Sequence, residues 1–555
     1  MTTQARHWAK SGAPWIWLTA AAVAASLSMV LGLLLLIAVN GLGHFWPSPV
    51  WEFQYRSLDG EVQQLIGQIR ETEQVSVEHL RDAGESIAED AEGMVERYLL
   101  KTGNRDISGL DFRWILAGDI EGRSRPERLV VLERLEWGDF YGFIQALQRD
   151  GKLVAEGDAA WQELQQGLDY VHKLRARIRH LEKGEIGSIN YRIERLRLKK
   201  RKLELEGEDT PAALAALDKQ RETLQAEFSG LQQSLDELYR KIRRDTVTMT
   251  VMGGREVDIP LAGVVRAYQP NAMHLGNRIT FYMAKLWEFV SADPREANTE
   301  GGIFPAIFGT VMMVLLMSVL VTPFGVVAAV YLREYAKQGL LTRLIRIAVN
   351  NLAGVPSIVY GVFGLGFFVY FLGGNIDQLF FPEALPAPTF GTPGLLWASL
   401  TLALLTVPVV IVATEEGLSR IPASIREGSL ALGATRAETL WRTVLPMASP
   451  AMMTGVILAV ARAAGEVAPL MLVGVVKLAP ALPLDGNAPF IHLDRKFMHL
   501  GFHIYDVGFQ SPNVEAARPL VFATALLLVA VIVMLNLTAI AIRNRLRERY
   551  RSLEQ

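Results

Sequence analysis

The chain has 555 residues, half of them hydrophobic, a formal net charge of -2 at pH 7 and no cysteine. That composition excludes disulfides, thiol catalysis and cysteine-ligated metal. The near-zero charge selects no class of partner. The apolar residues are concentrated in six stretches, Pro14–Val39, Ile303–Leu332, Ile347–Leu372, Leu395–Thr414, Ser449–Val476 and Pro519–Ile542. Each reaches the roughly 20 residues that a helix needs to cross a bilayer.

In chain order, residues 1–42 hold a short tail and the first span. That span is too long for the apolar core of a cleaved leader. It is followed by Asn40-Gly41-Leu42-Gly43-His44-Phe45-Trp46, which offers no clear small-x-small cleavage site at a sensible distance. A retained helix is expected.

Residues 43–300 have ordinary soluble composition and form a second domain. Over 43–160 it reads as mixed α+β, with strands at Gln64–Val75 and Leu129–Arg134 and a helix at Glu85–Leu100. Over 161–245 it reads as a coiled-coil hairpin. Apolar residues recur at three-then-four spacing through Leu164, Leu168, Val171, Ile178, Leu181, Ile189, Ile193, Leu196 and Leu203, and again from Leu214 to Ile242. Thr210 suits a helix N-cap and Pro211 the first helical position. Gly184 and Gly187 weaken the first helix. Lys173–Lys202 carries 12 basic and 3 acidic side chains. It is either an anion-attracting arm or a solvated face partly neutralised by Glu222, Glu227, Asp236 and Glu237. Residues 246–300 supply return strands and an amphipathic linker. Asp245–Val265 reads as a hairpin turning at Gly253-Gly254.

Residues 301–555 hold the other five spans. Lys and Arg collect in the N-terminal tail, in the loops after the second and fourth spans and at the C-terminus. Both termini are therefore expected on the cytoplasmic side, and residues 43–300 on the periplasmic side of a cell inner membrane.

A polar segment lies between the fourth and fifth spans, within 416–448. Arg426 to Pro446 reads REGSLALGATRAETLWRTVLP. Glu427 is followed six residues on by Gly433, and twelve after that by Leu445-Pro446. This resembles the coupling loop of ABC importer permeases: E-A-A, three residues, glycine, nine residues, a hydrophobic, one residue, L-P. Gly428 and Ser429 stand at the alanine positions and Thr443 at the hydrophobic one. Asn298 to Thr310, Asn350 to Gly361 and Ala461 to Leu470 extend the resemblance to the permease subunits of phosphate ABC importers, the PstA family. It is weak over 1–45 and strong over 270–550, and the large insert departs from it.

The resemblance implies an all-α polytopic membrane protein of the ABC type I importer permease fold, carrying the mixed α+β insert with its coiled-coil hairpin. It implies a non-catalytic subunit that transports inorganic phosphate without a cofactor of its own. ATP and magnesium would belong to a partner ATPase. The implied partners are a PstC-like permease in a heterodimer, two copies of a PstB-like ATPase and a PstS-like periplasmic phosphate-binding protein, together with membrane lipid and no nucleic acid. Glu427, Gly428, Ser429, Gly433, Leu445 and Pro446 would serve the coupling. Ser429–Trp441 is expected to be one short amphipathic helix, with glycine at the closest approach and proline marking its end.

Arg462 and Glu466 are charged residues deep in the fifth span, where each costs about 2.5–3.5 kcal/mol on insertion scales. Four residues apart, they share a helix face. They are either a mutually satisfied pair or a transient site for a tetrahedral oxyanion, which an Arg fork suits. His492, His499 and His503 have partial zinc spacing but no convincing acidic ligand, so an ordinary loop surface is expected and no metal. Asn350 and Asn351 either cap the third span or line a pore. No G-x-x-x-x-G-K-S/T is present. Two alternatives stand beside phosphate import: a permease for another oxyanion, and a membrane signal transducer with a periplasmic coiled-coil sensor, which would require a signalling domain after Arg551.

Overall fold

The computed structural model describes residues 12–57, 60–82, 84, 93–511 and 514–550. The first span, α1 (Ala13–Gly43), has no charged residue in 31 positions. At 1.5 Å per residue it is about 46 Å long. Gly41 lets it approach the last span closely, since a Cβ there would lie 2.9 Å from the Ala523 backbone.

Among its described residues the insert carries two large antiparallel sheets, besides a two-stranded ribbon pairing Pro294–Arg295 with Glu300–Gly301. The first has the order β4-β3-β2-β1-β5, from β1 (Trp51–Arg56), β2 (Val62–Ser76), β3 (Met94–Lys101), β4 (Phe112–Leu116) and β5 (Ile120–Ser124). The expected helix over Glu85–Leu100 is thus corrected in its described part. Residues 94–101 extend along β2, where Arg97 pairs with Glu73 at 2.9 Å, and 85–92 lie outside the described residues. Pairing with a long neighbour outweighs the local helical pattern.

The second sheet has the order β10-β9-β7-β6-β11, with one further strand on β7. It is built from β6 (Val130–Arg134), β7 (Phe140–Arg149), β8 (Lys152–Glu156), β9 (Asp245–Thr250), β10 (Glu256–Pro260) and β11 (Val264–Tyr268). β9 and β10 form the hairpin, turning at Gly253 and Gly254, both at positive φ. Asn271 ties the insert together, accepting from Val50 N at 3.1 Å and donating to Val50 O and Pro126 O.

Two long helical stretches leave the second sheet. The outgoing one comprises α2 (Asp158–Arg179), a wide turn at His180–Ile186 and α3 (Gly187–Glu206). The chain stays helical through Gly184 and Gly187. The weakness at these glycines is absorbed as a wider turn, with i→i+5 bonding. The returning helix is α4 (Pro211–Ile242), capped by Thr210, whose hydroxyl accepts from Ala213 N at 3.3 Å. Contacts of Arg192 with Glu227 and Lys200 with Asp218 set the two antiparallel. The apolar periodicity serves two partners. Leu164, Leu168, Val171 and Ile178 are buried in a core shared with Val130, Phe140, Val247 and Met249 of the sheet, which Leu238 and Ile242 join from the return helix. In the basic stretch Lys183, Arg192, Arg197, Lys200, Arg201 and Lys202 all have acidic partners, and Arg175 donates to two carbonyls. That favours the solvated face over an anion-attracting arm.

The hairpin does not stand free. Tyr191 donates to the Ala488 carbonyl and its ring meets His492 edge-on. The same helix lies against the turn Pro382–Ala384. At the neck, α5 (Leu275–Ser291) joins the insert to the second span.

That span is α6, running Phe304–Tyr335. It is followed by α7 (Leu340–Leu352), α8 (Ser357–Phe380), α9 (Leu395–Ser419), α10 (Ala423–Ala431), α11 (Arg436–Gly465), α12 (Ala468–Val473), α13 (Leu500–Tyr505) and α14 (Val514–Tyr550). Among the described residues six helices are long and apolar enough to cross a membrane: α1, α6, α8, α9, α11 and residues 517–545 of α14. Two expected spans need correction. The third does not run unbroken from Ile347 to Leu372. Pro356 lacks a donor and restricts Val355, so α7 ends at Leu352 and α8 starts at Ser357. The fifth does not reach Val476. It starts earlier, at Arg436, and breaks at Glu466-Val467.

α9 is the most enclosed span. Small residues allow this, as in membrane bundles generally. A Cβ at Gly325 of α6 would meet Val410 at 2.6 Å, and one at Gly455 of α11 would meet Ala413 at 2.7 Å.

The neck holds a buried charge cluster. Lys101 Nζ is 2.6 Å from Asp139 and 4.0 Å from Glu300, and Lys285 is 2.7 Å from Glu133. Burial, followed by the Asp139 charge, pushes Glu300 up to about 7. The folded chain therefore keeps a proton that the unfolded chain has already released. Its stability falls as pH rises from about 4.5 through about 7. Glu300→Gln should remove this component, on the order of 3 kcal/mol at about 1.4 kcal/mol per pKa unit. Thermal unfolding of the purified full chain at pH 5 and pH 8 checks it: the gap between midpoints should narrow in the variant, and an unchanged gap refutes the assignment.

Candidate functional site

The motif segment forms an elbow of two helices at the end of the bundle away from the insert. α10 runs over Ala423–Ala431, and the chain then turns through Leu432, Gly433 and Ala434. Gly433 has φ of +90°, a conformation L side chains rarely adopt. The expected single helix over Ser429–Trp441 is therefore corrected to two. Thr435 starts the second with a capping box. Its hydroxyl accepts from Glu438 N at 3.2 Å, and its own N–H donates to Glu438 Oε2 at 2.9 Å.

Pro446 does not end a helix, because Arg436 to Gly465 is helical throughout. A proline inside a helix lacks one donor and its ring crowds the carbonyl four residues back. The wide turn at Leu440–Val444, immediately upstream, accommodates this.

The elbow is anchored at its base. Arg426 donates to Ile421 O at 2.7 Å and Leu418 O at 2.8 Å, and reaches Glu334 at the end of α6 at 2.9 Å. Ser429 Oγ lies 2.9 Å from Thr439 Oγ1, tying the two arms together. Beneath them Val330, Leu418, Ile421, Leu440, Val444 and Ala448 form a small buried core from α6, α9, the loop after α9 and α11. The tip is bare. Leu432 is 91% exposed and Trp441 73%, and a Cβ at Gly428 or Gly433 would meet nothing within 4 Å. Glu427 is exposed on the same elbow. An apolar, uncovered tip on a braced base can take up force from a protein seated on it.

Of these residues, the sequence motif singled out Glu427, Gly428, Ser429, Gly433, Leu445 and Pro446. It missed Arg426 as an anchor, Leu432 and Trp441 as the exposed apolar tip, and the Thr435–Glu438 box. The T-x-x-E spacing was a readable signal for the last.

Arg462 and Glu466 are brought together. Arg462 Nε is 3.6 Å from Glu466 Oε1, beyond hydrogen-bond length, and both side chains keep partial exposure. Arg462 sits in the last turn of α11 and Glu466 where that helix stops. A cleft of about 330 Å³ lies one turn down the same helix. It is lined by Asn350, Ala353, Pro408, Val412, Glu416 and Leu458 among others. Asn350 and Asn351 thus end α7 rather than cap the third span, and Asn350 faces the cleft.

The three histidines are not brought together, and their expected place on an ordinary loop surface is corrected. All are buried. His492 pairs with Asp485 at 2.9 Å, His499 Nδ1 accepts from Gly501 N at 3.1 Å, and His503 lies by Thr524. Burial takes His499 down to about 3. Among the described residues no group of three His, Asp or Glu is placed to hold a metal ion.

Residues 321–552 match the family described as binding-protein-dependent transport system inner membrane component. The phosphate transport system permease protein PstA 1 of Mycobacterium tuberculosis (strain CDC 1551 / Oshkosh) is 34% identical over 244 residues, which cover 44% of this chain and 71% of the relative. The probable ABC transporter permease protein YqgH of Bacillus subtilis (strain 168) is 29% identical over 43% of this chain and 72% of its own. Among solved structures, the MetNI methionine ABC transporter in inward-facing conformation is 19% identical, with a TM-score of 0.32 over 43% of this chain and 94% of that one. The chain therefore belongs to the binding-protein-dependent transport system inner membrane components, as a membrane-spanning permease subunit of an ABC importer.

Proposed function

We propose that this chain is the transmembrane permease subunit of an ATP-driven inorganic phosphate importer. It forms half of the translocation pathway and takes its motion from a separate ATPase. The observation that carries the coupling is the elbow: an exposed Leu432–Trp441 tip on a base where Arg426 joins the ends of α6 and α9. The phosphate assignment draws on the relatives named for phosphate transport. The partners on this reading are a PstC-like permease, two PstB-like ATPases and a PstS-like binding protein. ATP and magnesium stay on the ATPase. Both termini and the elbow lie in the cytoplasm and the insert lies in the periplasm, as the distribution of Lys and Arg supports. The hairpin within 161–245 is read as a short antiparallel coiled coil, since both helices keep three-then-four apolar spacing.

Arg462 and Glu466 border the substrate path on this reading. Two features support it. The pair is loose rather than locked, and it stands at a helix break above a cleft. Irregular backbone at membrane depth is tolerated where it is packed in protein or lines a cavity. An Arg fork suits the oxygens of phosphate. A permease for another oxyanion would use the same elbow, so substrate choice is tested by uptake.

The deciding experiment purifies the tagged chain in mild detergent and reconstitutes it with whatever accompanies it. An ATPase and a second permease should co-purify, and the vesicles should accumulate labelled phosphate in preference to labelled molybdate. Arg462→Gln should abolish uptake while assembly persists; wild-type uptake in that variant rejects a role in the path. Gly433→Val places a branched side chain at φ of +90°, costing about 1–2 kcal/mol or more locally. Uptake and ATPase co-purification should both fall while the thermal midpoint of the permease barely moves. Unchanged coupling would show that the elbow turn is dispensable.

A further inference from the structure

The linker helix α5 shows one face that the transport reading does not use. Its exposed positions are Leu275, Gly276, Asn277, Ile279, Thr280, Met283, Ala284, Trp287 and Ser291. The face carries no charge, and its large members are well uncovered: Leu275 68%, Met283 58% and Trp287 71%. Thr280 turns its hydroxyl back onto the Gly276 carbonyl at 3.1 Å, which satisfies the polar group within the helix.

Every charged residue of α5 is turned the other way. Lys285 reaches Glu133 of the second sheet at 2.7 Å, and Glu288 reaches Arg266 at 3.1 Å and Arg295 at 2.9 Å. Arg278 is only partly exposed, and its Nε is buried. Phe281 packs on Tyr268 of β11. One side of the helix thus belongs to the insert.

Its C-terminal half meets the membrane core. Phe289 packs at a tilt against Phe45 and Tyr282 against Trp46, just beyond the end of α1. Ile303 N donates to Phe289 O at 2.8 Å, immediately before α6 begins. The helix is therefore wedged between the insert-side ends of two spans. Val319 and Leu36 of those two spans are exposed as well.

We propose that α5 lies in the headgroup–acyl boundary of the leaflet on the insert side, with Leu275, Ile279, Met283 and Trp287 in lipid. Its 17 residues give a raft about 26 Å long. An amphipathic helix of this kind sinks its apolar face about 5–10 Å below the headgroups. The polar face carries the insert, so the raft sets the height and tilt of both sheets above the bilayer. The partner is a lipid surface, recognised by apolar area rather than by charge.

The absence of cysteine makes the test direct. Leu275→Cys, Ile279→Cys, Met283→Cys and Trp287→Cys are made singly in the full chain, spin-labelled and reconstituted in phosphatidylethanolamine–phosphatidylglycerol vesicles. Accessibility to oxygen, which partitions into lipid, is compared with that to a water-soluble nickel complex. Val319→Cys is the lipid reference and Thr223→Cys, on the hairpin, the water reference. Oxygen should dominate at Met283 and Trp287 as at Val319, and the ratio should reverse at Thr223. Nickel dominance on α5 overturns the proposal because the face is then solvated. Exclusion of both probes overturns it equally, because a protein then covers the face. Four separate positions keep the test decisive if one variant fails to fold.

Discussion

Everything in the membrane core depends on how closely α9 can approach its neighbours. Hydrocarbon offers no hydrophobic drive between helices, so association rests on van der Waals fit and internal hydrogen bonds. Glycine at 325 and 455 removes the side chain where Val410 and Ala413 would otherwise collide. Thr401 and Thr406 bond back to carbonyls of their own helix, so their hydroxyls need no partner in lipid. With α9 enclosed, the ends of α6, α9 and α11 are held together. That is the platform on which the elbow stands.

The elbow turns this packing into a mechanical property. A helix that merely connected two spans would need no brace. Here Arg426 makes contacts with two spans from one guanidinium, and an apolar core lies directly below. On the proposed coupling role, force on Leu432 or Trp441 would pass to α6, α9 and α11 through these contacts. Higher up α11, the chain changes character. The helix stops at Glu466, a short helix follows, and α7 and α8 meet at another break.

The insert follows different physics. It is a mixed α+β body with its own core, joined to the membrane part by a polar neck, by Tyr191 against the Ala488 loop and by α5. The neck is costly to bury and holds because each charge finds an opposite: Lys101 with Asp139, Lys285 with Glu133, Arg295 with Glu288. Such a cluster makes the junction specific rather than strong.

The sequence by itself determined the number of helices long and apolar enough to cross a membrane, the mixed α+β character of the segment between the first two, the cap at Thr210 and the position of the motif. These follow from local periodicity, charge and turn chemistry. It misjudged features that depend on what lies alongside. Residues 94–101 pair as a strand because β2 is there to receive them. Leu164 to Ile178 pack on a sheet as well as on the return helix. The third span breaks at Pro356, and Pro446 sits inside a continuous helix; both prolines were visible, but whether a neighbouring turn could widen to absorb one was not. The histidines looked like a surface cluster because spacing says nothing about burial. Arg426 became an anchor only when α6 and α9 ended within reach of one side chain. Tertiary structure decided these points because each is a contact between segments far apart in the chain, and no local pattern encodes that distance.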